Sequence, residues 1–273
     1  MLDLMIAPIV AGLVVLSIHA YLGLHIIARG VIFVDLAFAQ IAALATTVGL
    51  LIGIEHGTPA ALALSVGFTL VGAVVFSFSR LTNTVVPQEA IIGIIYVVAS
   101  AAVILIAGFT AEGAEHIAET LTGTLIWVSW PETIRMAVAY AVLGVVYYVF
   151  RKPFFAVSIG EDSAPRSRFW DVLFYVLFGV VISFSVPVTG VLMVFSALVI
   201  PAVVAFLFTS RFTTALLIAW VVGALALVGG IVASFWWDVT TGPLLVCTFG
   251  FTLAVALLVR VVTKARPGTV VTP

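Results

Sequence analysis

Nine apolar runs, each about 18 to 24 residues long and separated by short polar breaks, occupy most of the chain. An α-helix of about 20 residues can cross the hydrocarbon core of a bilayer, which is about 30 Å thick. The pattern predicts an all-α, polytopic membrane bundle with about nine transmembrane helices, and a count of eight is the alternative. The predicted helices cover residues 4–27, 31–54, 59–79, 89–109, 132–150, 169–186, 190–208, 213–236 and 241–262.

The composition agrees with an integral membrane protein, because 64% of the 273 residues are hydrophobic and only 8% are charged. Soluble domains carry about 25% charged residues. The net charge of −1 argues against a nucleic-acid partner. We expect one transmembrane domain over residues 1–273, with the bilayer as its surroundings.

The basic residues orient this bundle. Ten of the eleven lysines and arginines fall on one side of the predicted membrane, and only Arg135 falls on the other. The positive-inside rule makes the basic side cytoplasmic. The N-terminus is therefore expected outside and the C-terminus in the cytoplasm.

Polar side chains inside or at the start of two predicted spans are the first candidate site. Asp35 and Gln40 lie in the run 31–54, and Glu89 begins the run 89–109. A charge at mid-depth costs about 2.5–3.5 kcal/mol on insertion scales, so it usually serves a partner or an ion path. On the predicted topology the two carboxylates lie at similar depth. The alternative is that Asp35 and Glu89 cap their helix starts, where the helix dipole favours anions.

Two further segments carry candidate contacts. His116 and Glu119 lie three residues apart on the outer side, where they would bind a cation or a partner, or belong to a solvated helix face. The cytoplasmic segment 151–168 mixes apolar residues with charges, which is typical either of a partner surface or of a segment lying on the membrane. Its candidate contact residues are Phe154, Phe155, Val157, Ile159 and Glu161.

Two motifs of enzymes are absent from the sequence. Neither of the two lysines, Lys152 and Lys264, belongs to a Gly-x-x-x-x-Gly-Lys-Ser/Thr motif, so the chain has no P-loop for a nucleotide. It also lacks the His-Glu-x-x-His motif of zinc proteases.

Five blocks of sequence resemble the permease subunits of zinc/manganese/iron-type ABC importers. The most specific is 190–202, GVLMVFSALVIPA, which is similar to the family's Gly-x-Leu-Leu-x-x-Ala-Leu-Leu-x-x-Pro-Ala. The others are 29–43, 89–94, 121–125 and 235–242. In this alignment Gln40 stands where the family has an intramembrane histidine, and Asp35 lies five residues before it instead of four.

The resemblance implies an importer permease that moves zinc, manganese or iron inward across a prokaryotic cytoplasmic membrane. Its implied partners are two copies of a cytoplasmic ATP-binding subunit, a second copy of the permease and an extracytoplasmic substrate-binding protein. The chain itself would be no enzyme and would hold no cofactor, and segment 151–168 would couple it to the ATPase. The rival function is a self-contained cation channel or secondary transporter, with Asp35 and Glu89 as an ion or proton relay.

Overall fold

The structure is a computed structural model that describes residues 2–55, 57–79, 86–110, 113–159 and 167–263. Within these ranges the regular structure is helical, and no β-strand occurs. The all-α prediction is therefore confirmed. The helices are α1 (Leu2–Arg29), α2 (Val34–Leu51), α3 (Pro59–Ser79), α4 (Gln88–Ala107), α5 (Gly113–Thr122), α6 (Trp130–Val149), α7 (Arg151–Ser158), α8 (Ser167–Thr189), α9 (Val191–Phe208), α10 (Phe212–Trp237) and α11 (Thr241–Thr263).

Nine helices of the described residues are long and apolar enough to cross a membrane. They are α1–α4, α6 and α8–α11, which confirms the predicted count, and most of their ends lie within three residues of the predicted ones. An uncharged break is also predicted, at 187–190, and the structure reduces it to Gly190, because α8 continues through Pro187 to Thr189. Gly190 adopts the left-handed backbone conformation (φ 76°) and its N–H donates to Val186 O, so α8 ends there.

The helices form two compact units. The first contains α1, α6, most of α9, α10 and α11, together with a 3-10 turn at Leu125–Trp127. Small residues allow its helices to approach closely: a Cβ at Gly23 of α1 would lie 1.9 Å from the Leu198 carbonyl oxygen of α9. Such contacts are typical of helix pairs in membranes, where backbone approach improves packing.

The second unit contains α2–α5, α7 and α8, and α2 is its central helix. Twelve of the 18 residues of α2 are buried, and α3, α4 and α8 all pack against it. The Phe38 ring contacts Phe76 of α3 at 4.9 Å and Phe178 of α8 at 5.4 Å between ring centroids. Gly179 makes room for this ring, because a Cβ there would lie 3.0 Å from it.

Of the two shorter helices of this unit, α5 and α7, the sequence indicates only the first. The spacing of His116 and Glu119 is compatible with a short helix, and α5 is that helix. It ends at Gly123, another left-handed residue (φ 73°), which lies backbone to backbone against the turn between α8 and α9. Helix α7 occupies the first part of segment 151–168, where no helix is predicted.

Candidate functional site

Asp35 is a buried carboxylate without a hydrogen-bond partner among the described residues. It lies in the first turn of α2, its side chain is 0% exposed, and neither oxygen accepts a hydrogen bond. The N-cap residue of α2 is Phe33, and this residue forms no capping hydrogen bond through its side chain. Asp35 therefore does not cap α2 by a hydrogen bond, which was the alternative interpretation of this residue.

Glu89 does act as a cap, although for a neighbouring helix. Its Oε1 accepts a hydrogen bond from the Phe33 N–H at 3.0 Å, so a carboxylate from α4 caps the start of α2. Its own helix begins after Pro87 and has no side-chain cap. The other oxygen, Oε2, is buried and has no hydrogen-bond partner in the described part of the chain.

The structure thus places both predicted carboxylates at the N-terminal end of α2. Three of their four oxygens accept no hydrogen bond from the described residues. The positive end of the α2 dipole stabilises negative charge at this place by about 0.3–1 kcal/mol or somewhat more when partly buried. That is less than the several kcal/mol that an unpaired buried charge costs, so a cation would be a better partner for the buried Asp35 than the dipole alone.

Gln40 is buried at 6% exposure, but it lies on another side of α2. Five residues turn an α-helix by about 140° and raise it by about 7.5 Å. The amide is therefore separated from Asp35 around the helix as well as along it. It shares a face with Thr47, because seven residues return the helix to within about 20° of the same direction.

Gln88 is a residue of this region that the sequence analysis missed. It begins α4 directly before Glu89, and its amide nitrogen donates to Phe76 O at 3.0 Å and to the Tyr175 hydroxyl at 3.3 Å. Tyr175 belongs to α8 and is fully buried. The signal in the sequence is only a polar residue between a proline and a glutamate, which is also what an ordinary solvated helix start looks like.

The two residues of the second predicted pair, His116 and Glu119, differ in exposure. His116 is 5% exposed and its Nε2 lies 2.9 Å from the Thr47 hydroxyl of α2, whereas Glu119 is exposed. The Thr47 hydroxyl donates its proton to Ala43 O at 2.8 Å, so the histidine must donate from Nε2. That nitrogen is occupied in a contact between α5 and α2.

No group of three or more His, Cys, Asp or Glu side chains that could hold a metal ion occurs within the described ranges. Nor does the groove between α3 and α4, with α2 at its floor, provide ligands. Its volume is about 490 Å³, and its lining is entirely apolar: Ile41, Leu44, Phe68, Val71, Gly72, Val75, Ile94, Ile95, Val98, Ala99 and Ala102. In the described part of the chain, the two predicted carboxylates, Asp35 and Glu89, are the groups placed at the start of α2.

Segment 151–168 is predicted to present its apolar residues as a contact surface, and the structure differs from this for two of them. Phe154 (0% exposed) and Val157 (3%) are buried, so the expectation that they are exposed is wrong. They lie three residues apart on one side of α7, and Phe154 packs edge-on against Trp170 and Phe174 of α8. Phe155 is half-buried and Ile159 is exposed, while Glu161 lies outside the described residues.

Comparison with known proteins gives one family. A model described as the ABC 3 transport family matches residues 1–260. An iron transport system membrane protein of Haemophilus influenzae is 24% identical over 175 residues, which are 63% of this chain. The matched part is 62% of that relative's length.

Two solved structures share the fold. PsaBC from Streptococcus pneumoniae, in complex with Fab, superposes with a TM-score of 0.77 at 19% identity, covering 92% of this chain and 90% of the other. A metal-chelate type ABC transporter in an inward-facing conformation gives a TM-score of 0.68, also at 19% identity, over 94% of this chain and 85% of the other. The predicted architecture is thereby confirmed.

Proposed function

The chain belongs to the ABC 3 transport family, and from this membership we propose that it is the membrane-spanning permease subunit of an importer for divalent transition metal ions. Its similarity to an iron transport system membrane protein supports this class of substrate. Hydrolysis of ATP belongs to a separate subunit, because this sequence has no P-loop. Two ATPase subunits, a second copy of the permease and an extracytoplasmic binding protein complete the complex.

The buried carboxylate of Asp35 is the observation that carries the proposal. It lies at 0% exposure without a hydrogen-bond partner in the described residues, next to the chain segment that Glu89 binds. Removing one partner from a buried ion pair is strongly destabilising, and a lone buried charge is disfavoured for the same reason. A divalent cation on the path gives both carboxylates a charge partner that the described residues do not provide.

The ligand chemistry bears on the metal. Carboxylate oxygens from Asp35 and Glu89 are hard ligands, which suit manganese and iron(II) at least as well as zinc. Gln40, at the position of the family's histidine, offers an amide oxygen instead of an imidazole nitrogen. We therefore propose weaker binding and less preference for zinc than a histidine would give. Weak binding suits a path that must release what it admits.

The orientation follows from charge, with the N-terminus outside, the C-terminus in the cytoplasm and the complex in a prokaryotic cytoplasmic membrane. On this orientation α7 and the residues after it face the ATPase. The exposed side chains of α7, including Lys152, together with Ile159 are the described part of that contact surface. Phe154 and Val157 instead hold α7 against α8 from within.

Charge-neutralising variants test the metal path. Asp35→Asn and Glu89→Gln keep the shape of each side chain, and Glu89→Gln keeps an acceptor for the Phe33 N–H. We expect uptake of Mn²⁺ into proteoliposomes to fall severely in both variants, with the complex still assembled. Glu115→Gln, which removes an exposed carboxylate on α5, is the control and should transport normally.

Normal uptake by the Asp35→Asn, Glu89→Gln double variant would contradict the proposed path. Co-purification separates the importer from a channel or secondary transporter, since only the importer brings a nucleotide-binding protein with it. Metal uptake by the purified chain alone, without ATP, would support the channel or secondary transporter.

A further inference from the structure

Two adjacent residues of α4 bind the ends of two other helices. The Gln88 amide donates to Phe76 O, which is one of the last four carbonyls of α3 and also accepts a hydrogen bond from the Ser79 hydroxyl at 2.8 Å. Glu89 accepts from the Phe33 N–H, which lies at the start of α2. The donor meets the C-terminal end of one helix and the acceptor meets the N-terminal end of another, which is the favourable polarity in both places.

Gln88 also has a third contact, on α8. A glutamine amide carries two N–H donors, and here one reaches Phe76 O while the other reaches the Tyr175 hydroxyl. The first turn of α4 is therefore held by α3 and α8 together. Since Glu89 is the next residue, the same two hydrogen bonds limit where its carboxylate can be.

Tyr175 is itself buried among aromatic rings. Its ring contacts Phe38 and Phe76 at 6.5 and 6.4 Å between centroids, and Phe174 at 5.8 Å. Phe174 in turn contacts Phe154 of α7 at 5.9 Å. The tyrosine hydroxyl thus presents Gln88 with a hydrogen-bond partner whose place is set by the aromatic packing of α2, α3 and α8.

We propose that Gln88 is a positioning residue for the metal path: its hydrogen bonds to Phe76 O and Tyr175 hold Glu89 at the N-terminal end of α2, beside Asp35. This inference rests on the proposed function, because it concerns the same carboxylates. Glu89 contacts the ion, whereas Gln88 acts on the ion only through Glu89. Tyr175 acts one step further away, through Gln88.

Binding of Mn²⁺ to the purified permease with its partner subunits tests this role, with the free ion measured by electron paramagnetic resonance. Gln88→Met has nearly the same length and no donor, so we expect the Kd for Mn²⁺ to rise about three- to tenfold. Tyr175→Phe keeps the ring contacts and removes the acceptor of the Gln88 N–H, so the Kd should rise about threefold. In the Gln88→Met background, Tyr175→Phe should have no further effect, because the bond is already absent.

The controls separate positioning from a general loss of structure. Trp220→Phe removes a hydrogen bond of the same kind, from the indole N–H to Ser17 O at 2.9 Å in the other unit, and should leave the Kd unchanged. Basal ATP hydrolysis and the thermal midpoint without metal should be near normal in Tyr175→Phe. If Gln88→Met does not stay folded, the Tyr175→Phe result alone decides.

Three results would overturn the inference. They are an unchanged Kd in both Gln88→Met and Tyr175→Phe, additive effects of the two changes, and an equal rise in Trp220→Phe. The failure of the proposed function is different, because then Glu89→Gln itself would leave Mn²⁺ binding and uptake normal. If Glu89→Gln impairs both while Gln88→Met and Tyr175→Phe do not change the Kd, only the positioning role is wrong.

Discussion

Replacing Gly123 by alanine adds one methyl group where α5 ends against the turn between α8 and α9. A Cβ at this position would lie 2.2 Å from the Thr189 carbonyl carbon and 2.5 Å from the Gly190 nitrogen. These are backbone atoms, so the contact cannot be relieved by turning a side chain. Gly123 also has φ 73°, a conformation in which a Cβ crowds the backbone.

The expected loss of stability is the sum of two costs, that of the backbone conformation and that of the close contact. The left-handed conformation costs about 1–2 kcal/mol for a residue with a Cβ. Ordinary contacts begin near 3.4 Å, so the turn must move by about 1 Å, and overpacking of this kind costs about 1–3 kcal/mol. Together they predict a loss of about 2–5 kcal/mol in the free energy of unfolding, against a total of about 5–15 kcal/mol for folded proteins.

Thermal unfolding in detergent, followed by tryptophan fluorescence, measures this loss. Gly144→Ala is the matched control, because it lies in the middle of α6 and a Cβ there meets nothing within 4 Å. The control should be neutral or slightly stabilising, since alanine is the better helix former by about 1 kcal/mol. Equal midpoints for Gly123→Ala and Gly144→Ala would refute the reasoning.

Three further predictions concern α5, α7 and the topology. Thr47→Val keeps the shape of the side chain but removes the buried hydroxyl that bonds to His116 Nε2, so the free energy of unfolding should fall by about 1–3 kcal/mol in chemical or thermal unfolding. Phe154→Asp should destabilise the fold itself, whereas Ile159→Asp should leave stability unchanged and weaken recovery of the ATPase in a pull-down. Single cysteines at Ile159 and Glu115, with the native cysteine replaced, should be labelled from the inside and the outside respectively.

Each of these has its own control. Thr46→Val removes only a hydrogen bond to Ala43 O from a half-buried side chain, so it should be milder than Thr47→Val. Equal stability of Phe154→Asp and wild type would show that α7 does not depend on packing against α8. Labelling of both cysteines from the same side would contradict the proposed topology.

The positions of the nine spans were predictable from the sequence, because they follow from the local hydrophobicity and length of each segment. In lipid the backbone must satisfy its hydrogen bonds internally, so a long apolar run has little choice other than a helix. For this reason α3 begins and ends where its apolar run does. Even the uncharged break, predicted at 187–190, followed from length, since 40 residues from 169 to 208 are too many for one span.

For the candidate site, the sequence predicted the important carboxylates but not the groups that they contact. The sequence singled out Asp35 and Glu89, because a carboxylate in an apolar run is conspicuous by itself. Whether each is a cap depends on which helix end lies opposite, and that is a property of packing. Only the tertiary structure shows that Glu89 caps α2 from α4, and that Asp35 caps nothing by a hydrogen bond.

The same limit explains the errors in the segment after α6 and the omission of Gln88. In the sequence, an apolar residue near a helix start is equally compatible with a partner surface and with a buried contact. In the structure Phe154 is buried because it packs against Trp170 and Phe174 of α8. Gln88 has partners that are 12 and 87 residues away, Phe76 and Tyr175. The hydrophobic pattern that predicts a helix lies in consecutive residues and can be recognised in the sequence. A hydrogen bond between distant segments forms only after the helices have packed, so the sequence pattern does not show it.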